Sequence, residues 1–303
     1  MGKTSLSIAL AKAVRGSIIS ADSMQVYRGL DIGSAKITEA EKEGIPHYLI
    51  DVLDPVEDFN VARFQEMALA AMEEIYAAGR LPIITGGTGF YIQALLKVVD
   101  FTEGQGNTEF RSVYEEIAAE QGGDILYALL KERDPASAES IHPHNVKRVI
   151  RALEYLDTSG TPISAHNREM KQSDSPFCYA YFVLNEDRQV LYDRIDRRVD
   201  QMIAHGLVEE VRSLRDAGLT EEHVSMRGLG YKELFPYLRG EIPLEEAVRI
   251  IKRDTRHFAK RQLTWFRREK DVIWINKEEF QKDEGAMLSY MLSVWDRIQK
   301  EDI

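Results

Sequence analysis

The sequence predicts an α/β fold whose parallel β-sheet is interrupted by a helical insertion. Short apolar runs rich in β-branched residues lie at 17–20, 48–52 and 81–85, and a helical pattern of apolar residues occupies 61–78. Strands that alternate with helices in this way favour βαβ units, and βαβ units form parallel sheets.

The middle of the chain has a different pattern. Residues 108–159 show helical periodicity only, and the polar stretch 164–175 indicates a connecting segment. We therefore expect an α/β core formed by residues 1–104 and 176–303, with a helical insertion at 105–175. The remaining predicted elements are a strand at 177–184, helices within 186–217 and 244–268, and a last strand at 272–275.

The composition is that of a soluble globular protein, with 44% hydrophobic and 29% charged residues. No apolar run reaches the roughly 18 residues that a membrane span needs, and the N-terminus lacks the features of a signal peptide. The single cysteine, Cys178, has no partner for an internal disulfide. We therefore expect a cytoplasmic protein that does not bind a membrane.

The net charge of −11 argues mildly against a nucleic-acid partner, because phosphate contacts need clustered Lys and Arg. The basic residues are nevertheless unevenly distributed. One group lies within 252–268, and a second consists of Lys147, Arg148 and Arg151. These groups are compatible with an RNA binder of small footprint, although a solvated helix face is the alternative.

The chain begins Met1-Gly2-Lys3-Thr4-Ser5 before a helical pattern. Gly-Lys-Thr at a helix start is typical of the second half of a phosphate-binding loop, where backbone N–H groups and Lys hold phosphate and the Thr hydroxyl ligates Mg²⁺. The leading glycine and the preceding strand of such a loop are not in this sequence. A frayed N-terminus is the alternative interpretation.

Asp22 follows the first predicted strand, at the sheet edge where ligands bind in open parallel sheets. A carboxylate there can act as a general base or hold a metal through water. A turn or helix cap explains an Asp at this position equally well.

Two further glycine-rich turns carry groups suited to anions. Gly86-Gly87-Thr88 follows a predicted strand and opens a helix, so its backbone amides can approach an anion closely. Arg227 precedes Gly228 and Gly230, and its guanidinium can neutralise a leaving group. A simple tight turn and an exposed loop arginine are the respective alternatives.

Together these residues resemble the tRNA dimethylallyltransferase family, also called isopentenyl-diphosphate:tRNA transferases. The resemblance extends over nearly the whole chain and keeps the order of the family's motifs. It is carried by DSMQVYRGLDIGSAK at 22–36, GGTGFYIQALL at 86–96, IHP at 141–143, KRVIRALE at 147–154, RGLGYKEL at 227–234 and AKRQLTWFR at 259–267.

The resemblance implies a P-loop NTPase-like core whose helical insertion grips the anticodon stem-loop of tRNA. The implied reaction transfers a dimethylallyl group from dimethylallyl diphosphate to N6 of the adenosine at tRNA position 37, with Mg²⁺ as cofactor. Asp22 then matches the general base, and Thr88 and Arg227 match residues that stabilise the departing diphosphate. The implied diphosphate-binding residues are Gly2, Lys3, Thr4, Ser5, Gly86 and Gly87, with Mg²⁺ on Thr4. The implied tRNA-binding residues are Asp22, Ser23, Met24, Gln25, Arg111, Lys147, Arg148, Val149, Ile150 and Arg151.

The sequence departs from the family at Met1, which stands where the family often has Val before Gly-Lys-Thr. We expect that a GTG valine codon was taken as the initiator, so that upstream codons encode an apolar strand and a glycine-containing loop. Two alternatives to the transferase stay open at this point: a small-molecule kinase or NTPase on the same core, and a truncated, inactive tRNA-binding protein. A monomer is expected from the family alone.

Overall fold

This computed structural model describes residues 2–99, 101, 108–172 and 174–301. The chain divides into two compact units, one formed by Met1–Leu95 with Phe177–Ile303 and the other by Leu96–Pro176. The second unit is therefore inserted into the first along the chain. The sequence places the insertion at 105–175, and positions 105–107 of that range lie outside the described residues.

Parallel strands form the centre of the first unit. Strand β1 (Gly16–Ala21) lies between β2 (His47–Tyr48) and β3 (Leu81–Gly86), and both pairings are parallel. Every residue of β1 is buried, as expected for a strand covered on both faces. Strands β4 (Tyr181–Asn185) and β5 (Val272–Asn276) form a second parallel pair. The α/β class and its parallel strands are thus confirmed.

The strand register positions the ends that carry candidate site residues. Ala21 at the carboxyl end of β1 lies opposite Gly86 at the carboxyl end of β3. Because parallel strands end at the same sheet edge, Asp22 and Gly87 leave the sheet side by side.

The first helix packs on both sheets of the first unit. Its residues Ile8 and Ala11 form an apolar cluster with Ile18 of β1, and Leu6 forms another with Ile275 of β5. The α-helices among the described residues are α1 (Lys3–Val14), α2 (Glu39–Lys42), α3 (Val61–Ala77), α4 (Gly89–Lys97), α5 (Thr108–Gln121), α6 (Gly123–Arg133), α7 (Pro135–Ser140), α8 (Val146–Ser159), α9 (Ile163–Gln172), α10 (Arg188–Ala204), α11 (Leu207–Asp216), α12 (Phe235–Leu238), α13 (Leu244–Phe266) and α14 (Glu284–Glu301).

The second unit is helical in its described residues, from α5 to α9. Asp134 caps α7 at the position before Pro135, where proline suits a helix start. Asn145 caps α8, and Gly160 ends it in the left-handed conformation. The core of this unit is built from the buried residues Tyr114, Leu126, Leu130, Ala138, Val149, Ile150, Ala152 and Leu153.

Three sequence-based expectations about secondary structure are wrong. The run 48–52 is not a strand beyond Tyr48, because Leu49 (φ 60°) and Asp51 (φ 55°) leave the extended region. The polar stretch 164–175 is mostly helical as part of α9, and the strand expected at 177–184 begins only at Tyr181.

Among the described residues, no helix is both long enough and apolar enough to cross a membrane.

Candidate active site

The start of α1 lies at the carboxyl edge of the first sheet. Gly2 caps the helix with φ 74°, a left-handed conformation that suits glycine. The Lys3 ammonium donates a hydrogen bond of 2.9 Å to the carbonyl oxygen of Gly86. Thr4 is exposed, whereas the Ser5 hydroxyl donates to Glu284 Oε1 at 2.8 Å. The structure therefore brings Lys3 to the end of β3 and directs Ser5 towards α14.

Asp22 forms a turn directly after β1. Its Oδ1 accepts hydrogen bonds from the backbone N–H groups of Met24 (2.9 Å) and Gln25 (3.3 Å). Asp22 is therefore a turn cap, as one interpretation of the sequence held. Within the described residues its Oδ2 accepts no hydrogen bond, so this oxygen is available to a ligand.

The Gly86–Gly87–Thr88 turn is held from two directions. The Thr88 N–H donates to the carbonyl oxygen of Ala21 at 3.4 Å, next to Asp22. The Gln262 side chain of α13 donates to the carbonyl oxygen of Gly87 at 2.6 Å. The turn that carries Thr88 is thus fixed beside Asp22 and Lys3.

Opposite charges meet at this edge. Lys3 keeps contact with water, but desolvation by the surrounding protein lowers its pKa, while the Asp22 carboxylate raises it. Arg198 of α10 interacts electrostatically with both residues. Burial lowers the pKa of the Arg198 guanidinium, and Asp22 and Glu41 oppose that shift. This edge of the sheet therefore brings the cations Lys3 and Arg198 together near Asp22, an arrangement suited to an anion that carries several charges.

Arg198 is a site residue that the sequence analysis missed. It lies in a helix with many charged residues and no glycine-rich turn, so no local motif marks it. Only the packing of α10 near the end of β1 places its guanidinium close to Asp22.

Arg227 is not brought to the Lys3–Asp22 cluster by any contact among the described residues. Its guanidinium donates to the carbonyl oxygen of Glu222 at 2.8 Å, and its side chain is 53% exposed. The turn that follows is nevertheless close to the Asp22 segment, because a side chain at Gly228 would collide with Met24.

The segment after Asp22 is partly fixed by the strand before it. The Ser20 hydroxyl donates a hydrogen bond of 3.3 Å to Gln25 Oε1. Ser23, Met24 and Gln25 are all partly exposed.

The tRNA-binding candidates of the second unit differ in exposure. On α8, Lys147 and Arg148 are exposed, and Arg151 is partly exposed and lies 3.3 Å from the buried carboxylate of Glu154. Val149 and Ile150 are buried in the core of the unit, so their side chains support α8 and do not face a ligand. Among the residues of this segment, the side chains that reach solvent are those of Lys147, Arg148 and Arg151. Arg111 of α5 is 47% exposed and lies 3.3 Å from Glu115.

An additional basic surface lies on the last turns of α13. An open concavity of about 450 Å³ lies along one face of α13 and extends past the end of the helix to Arg268. Arg261 also stacks over the Phe258 ring at 5.8 Å. The lining residues are His257, Lys260, Arg261, Thr264, Trp265 and Arg268.

The described residues contain no group of three or more His, Cys, Asp or Glu side chains able to hold a metal ion. The Thr4 hydroxyl and the Asp22 carboxylate are hard oxygen donors at the same edge of the sheet. Hard oxygens of this kind, completed by phosphate oxygens and water, suit Mg²⁺.

Relatives of known sequence resemble this chain over nearly its full length. It is 56% identical to the tRNA dimethylallyltransferase of Lachnoclostridium phytofermentans, with 97% of this chain and 94% of that protein covered. It is 50% identical to the tRNA dimethylallyltransferase of Acetivibrio thermocellus, with 97% and 95% covered.

Solved structures resemble it as well. The full-length tRNA isopentenylpyrophosphate transferase from Bacillus halodurans superposes with a TM-score of 0.74 at 41% identity, covering 99% of this chain and 95% of that one. A eukaryotic dimethylallyltransferase acting on tRNA superposes with a TM-score of 0.78 at 29% identity, covering 91% and 71%. Residues 25–269 match the family of IPP transferases. The chain therefore belongs to the IPP transferase family.

Proposed function

We propose that this protein transfers a dimethylallyl group from dimethylallyl diphosphate to N6 of adenosine 37 of tRNA, beside the anticodon. The observation that carries the proposal is the cluster of Lys3, Asp22 and Gly86–Thr88 at one sheet edge. It combines an anion site with an available carboxylate oxygen. Membership of the IPP transferase family gives this chemistry its substrate class.

The diphosphate is assigned to the start of α1 and the Gly86–Gly87 turn. The N-terminus of α1 presents unpaired backbone N–H groups, which favour an anion together with the helix dipole. Lys3 and Arg198 add positive charge, and Thr88 adds a hydroxyl donor. These groups surround the position where negative charge develops as the diphosphate leaves.

The transfer joins the adenosine N6 to the terminal carbon of the allyl group. The bond from that carbon to the diphosphate oxygen breaks, and its electron pair leaves with the diphosphate. The N6 amine loses one proton, and Asp22 Oδ2 is assigned to accept it. A positioned base of this kind contributes about 10²–10⁴-fold to the rate.

Arg227 is assigned to the departing diphosphate. Its guanidinium now donates to the carbonyl oxygen of Glu222, and it is assigned to turn from there to the diphosphate when the substrate binds. Thr4 is the residue assigned to Mg²⁺. When bound with the diphosphate, Mg²⁺ would neutralise part of the charge on the leaving group.

Two basic surfaces are assigned to tRNA. The first lies on α8 in the second unit, with Lys147, Arg148 and Arg151, and Arg111 of α5 belongs to the same unit. The second is formed by Lys260 and Arg261 of α13 and by Arg268 just beyond its end. The segment Asp22–Gln25 is assigned to the target adenosine, which leaves its stack at a cost of a few kcal/mol. We further propose that the anticodon stem-loop is the bound element and that the protein acts as a cytoplasmic monomer.

A transfer assay tests the proposal. It combines the purified chain, Mg²⁺, labelled dimethylallyl diphosphate and unmodified tRNA with adenosine at position 37. The expected result is label on N6 of that adenosine and release of diphosphate in equal amount. A control tRNA with guanosine at position 37 should remain unlabelled. ATP hydrolysis without tRNA, in place of transfer, would contradict the proposal in favour of a nucleotide-hydrolysing enzyme.

A further inference from the structure

Glu210 of α11 lies at the centre of a hydrogen-bond network in the first unit. Its carboxylate accepts from the backbone N–H groups of Asp31 (3.1 Å), Ile32 (2.7 Å) and Gly33 (3.1 Å). It also accepts from the Tyr231 hydroxyl at 2.7 Å. One carboxylate thus joins two loops that are far apart in sequence. Three consecutive N–H groups around one anion form a concave nest, and bonds to an ionised acceptor are stronger than neutral ones.

The first of these loops supports the segment assigned to the target adenosine. The Gln25 side-chain amide donates to the carbonyl oxygens of Ser34 (3.3 Å) and Ala35 (3.4 Å). These two residues directly follow the three whose N–H groups Glu210 holds. The placement of Gln25 therefore depends on the loop that Glu210 fixes.

The second loop carries Arg227. Tyr231 is fully buried, and its ring fills the space at Gly33, where any Cβ would collide with it. The Gly230 N–H donates to the Glu233 carboxylate at 2.8 Å, which ties the turn to the residues after it. Tyr231 is thereby held by packing as well as by Glu210, and its N–H closes the turn that follows Arg227 by donating to the carbonyl oxygen of Gly228 at 3.2 Å.

We propose that Glu210 is a positioning residue for the transfer reaction, and this rests on the function proposed above. It aligns the Asp22–Gln25 segment with the Arg227 turn and does not itself touch the substrate. Only a carboxylate suits this role, because one of the two ends of a Gln amide is a donor and would face N–H groups. Since misplacing a reacting group by about 1 Å can cost about 10²-fold in rate, a small shift between the loops is enough to be measured.

Glu210→Gln in the full chain is the first test. Three quantities are measured: kcat and KM for tRNA in the transfer assay, affinity for dimethylallyl diphosphate, and the thermal midpoint. The expected result is a fall in kcat/KM for tRNA of about 10–100-fold. The affinity for the diphosphate should fall much less than kcat/KM, because Lys3, Gly86 and Gly87 lie outside the network and only Arg227 among the assigned diphosphate residues depends on it.

Glu209→Gln is the matched control, because Glu209 neighbours Glu210 on α11 but is exposed and pairs only weakly with Arg212 at 3.6 Å. It should behave as wild type. Tyr231→Phe keeps the ring against Gly33 and removes one bond to Glu210, so it should lower kcat/KM less than Glu210→Gln. The double variant should lose less than the sum of the two free-energy changes, because both act through one contact.

The outcomes separate the possible explanations. Equal kcat/KM in Glu210→Gln and wild type would overturn the positioning role. A second result would also overturn it: transfer activity and diphosphate binding that both fall in proportion to the fraction of folded protein. That result would indicate a purely structural role for Glu210. Absence of transfer by the wild-type protein would instead count against the proposed function itself, and the positioning role would fall with it.

Discussion

The side-chain amide of Gln262 donates a hydrogen bond of 2.6 Å to the carbonyl oxygen of Gly87, and so ties α13 to the glycine-rich turn after β3. The Trp265 ring lies one helical turn further and fills the space at Gly89, where a Cβ would collide with it. Helix α13 therefore helps to fix the turn that carries Thr88, through Gln262 at Gly87 and Trp265 at Gly89. Changes in these glycines should consequently differ in effect, according to what an added methyl group meets.

Gly86→Ala should destabilise the protein more than Gly87→Ala. The new methyl group at Gly86 would overlap the backbone carbonyl of Ala21, which cannot move without disturbing the pairing of β1 with β3. At Gly87 it would meet the end of the Gln262 side chain, which can rotate away. We expect Gly86→Ala to lower the free energy of unfolding by about 1–3 kcal/mol, the range for overpacking, measured by urea denaturation. Equal losses in the two variants would contradict the role assigned to Ala21.

Asp22→Asn should separate the two roles of Asp22. The Asn side-chain oxygen still accepts from the N–H groups of Met24 and Gln25, so the turn is kept. The amide cannot accept the N6 proton, so kcat should fall about 10²–10⁴-fold. Diphosphate binding should persist in isothermal calorimetry. Glu73→Gln, which removes an exposed carboxylate on α3 outside the site, serves as the control and should keep the wild-type kcat. A kcat equal to that of wild type in Asp22→Asn would remove Asp22 from proton transfer.

The affinity for dimethylallyl diphosphate should fall at high pH, and earlier than for an ordinary lysine. Burial lowers the pKa of Lys3 from the usual 10.5, so its charged form, which attracts the anion, is lost as the pH rises through this lowered pKa. Lys3→Arg should weaken this dependence on pH because a guanidinium stays charged. Asp22→Asn should shift the midpoint further down, since the Asp22 carboxylate raises the pKa of Lys3. An affinity that does not change across this pH range would show that Lys3 does not hold the anion.

The elements near this site differ in how far the sequence could predict them. Lys3, Asp22 and Gly86–Thr88 were predictable as neighbours, because parallel strands with glycine-rich turns end at one edge of a sheet. Arg198 was not, because its placement depends on how α10 packs against α13, where Leu191 and Ile195 meet Ala259. Glu210 was not predictable either, since its partners are backbone N–H groups that no residue type reveals.

Helix α9 and the run 48–52 show the same limit at the level of secondary structure. The sequence ISAHNREMKQ of α9 is mostly polar, and its low hydrophobicity led to its assignment to a connection although its few apolar residues are spaced as in a helix. The run 48–52 has strand-like residues, but positive φ angles at Leu49 and Asp51 follow from its loop contacts. The Asp51 N–H donates to Gln25 and the Val52 N–H to Val26. In both segments the secondary structure depends on tertiary contacts. Local residue propensity carries no information about those contacts.

Lys147→Ala combined with Arg151→Ala should weaken tRNA binding and reduce its dependence on salt. Both side chains reach solvent from the same part of α8, whereas Val149 and Ile150 between them face the core. Each phosphate contact contributes about 0.7–0.9 to the slope of log affinity against log salt, so the double variant should lower the slope by about 1–2. Filter binding of the anticodon stem-loop at several salt concentrations measures it.

The control for this prediction is Lys131→Ala, which removes one positive charge from the same unit. Lys131 lies on α6 and its ammonium is 5.1 Å from the centre of the Tyr127 ring. If only the total charge of the unit attracts tRNA, Lys131→Ala should lower the slope by as much as each α8 substitution. If α8 contacts phosphates directly, the control should keep the wild-type slope while the α8 variant loses part of it. An unchanged slope in the α8 variant would place Lys147 and Arg151 away from the RNA, because counterion release requires a phosphate to be neutralised.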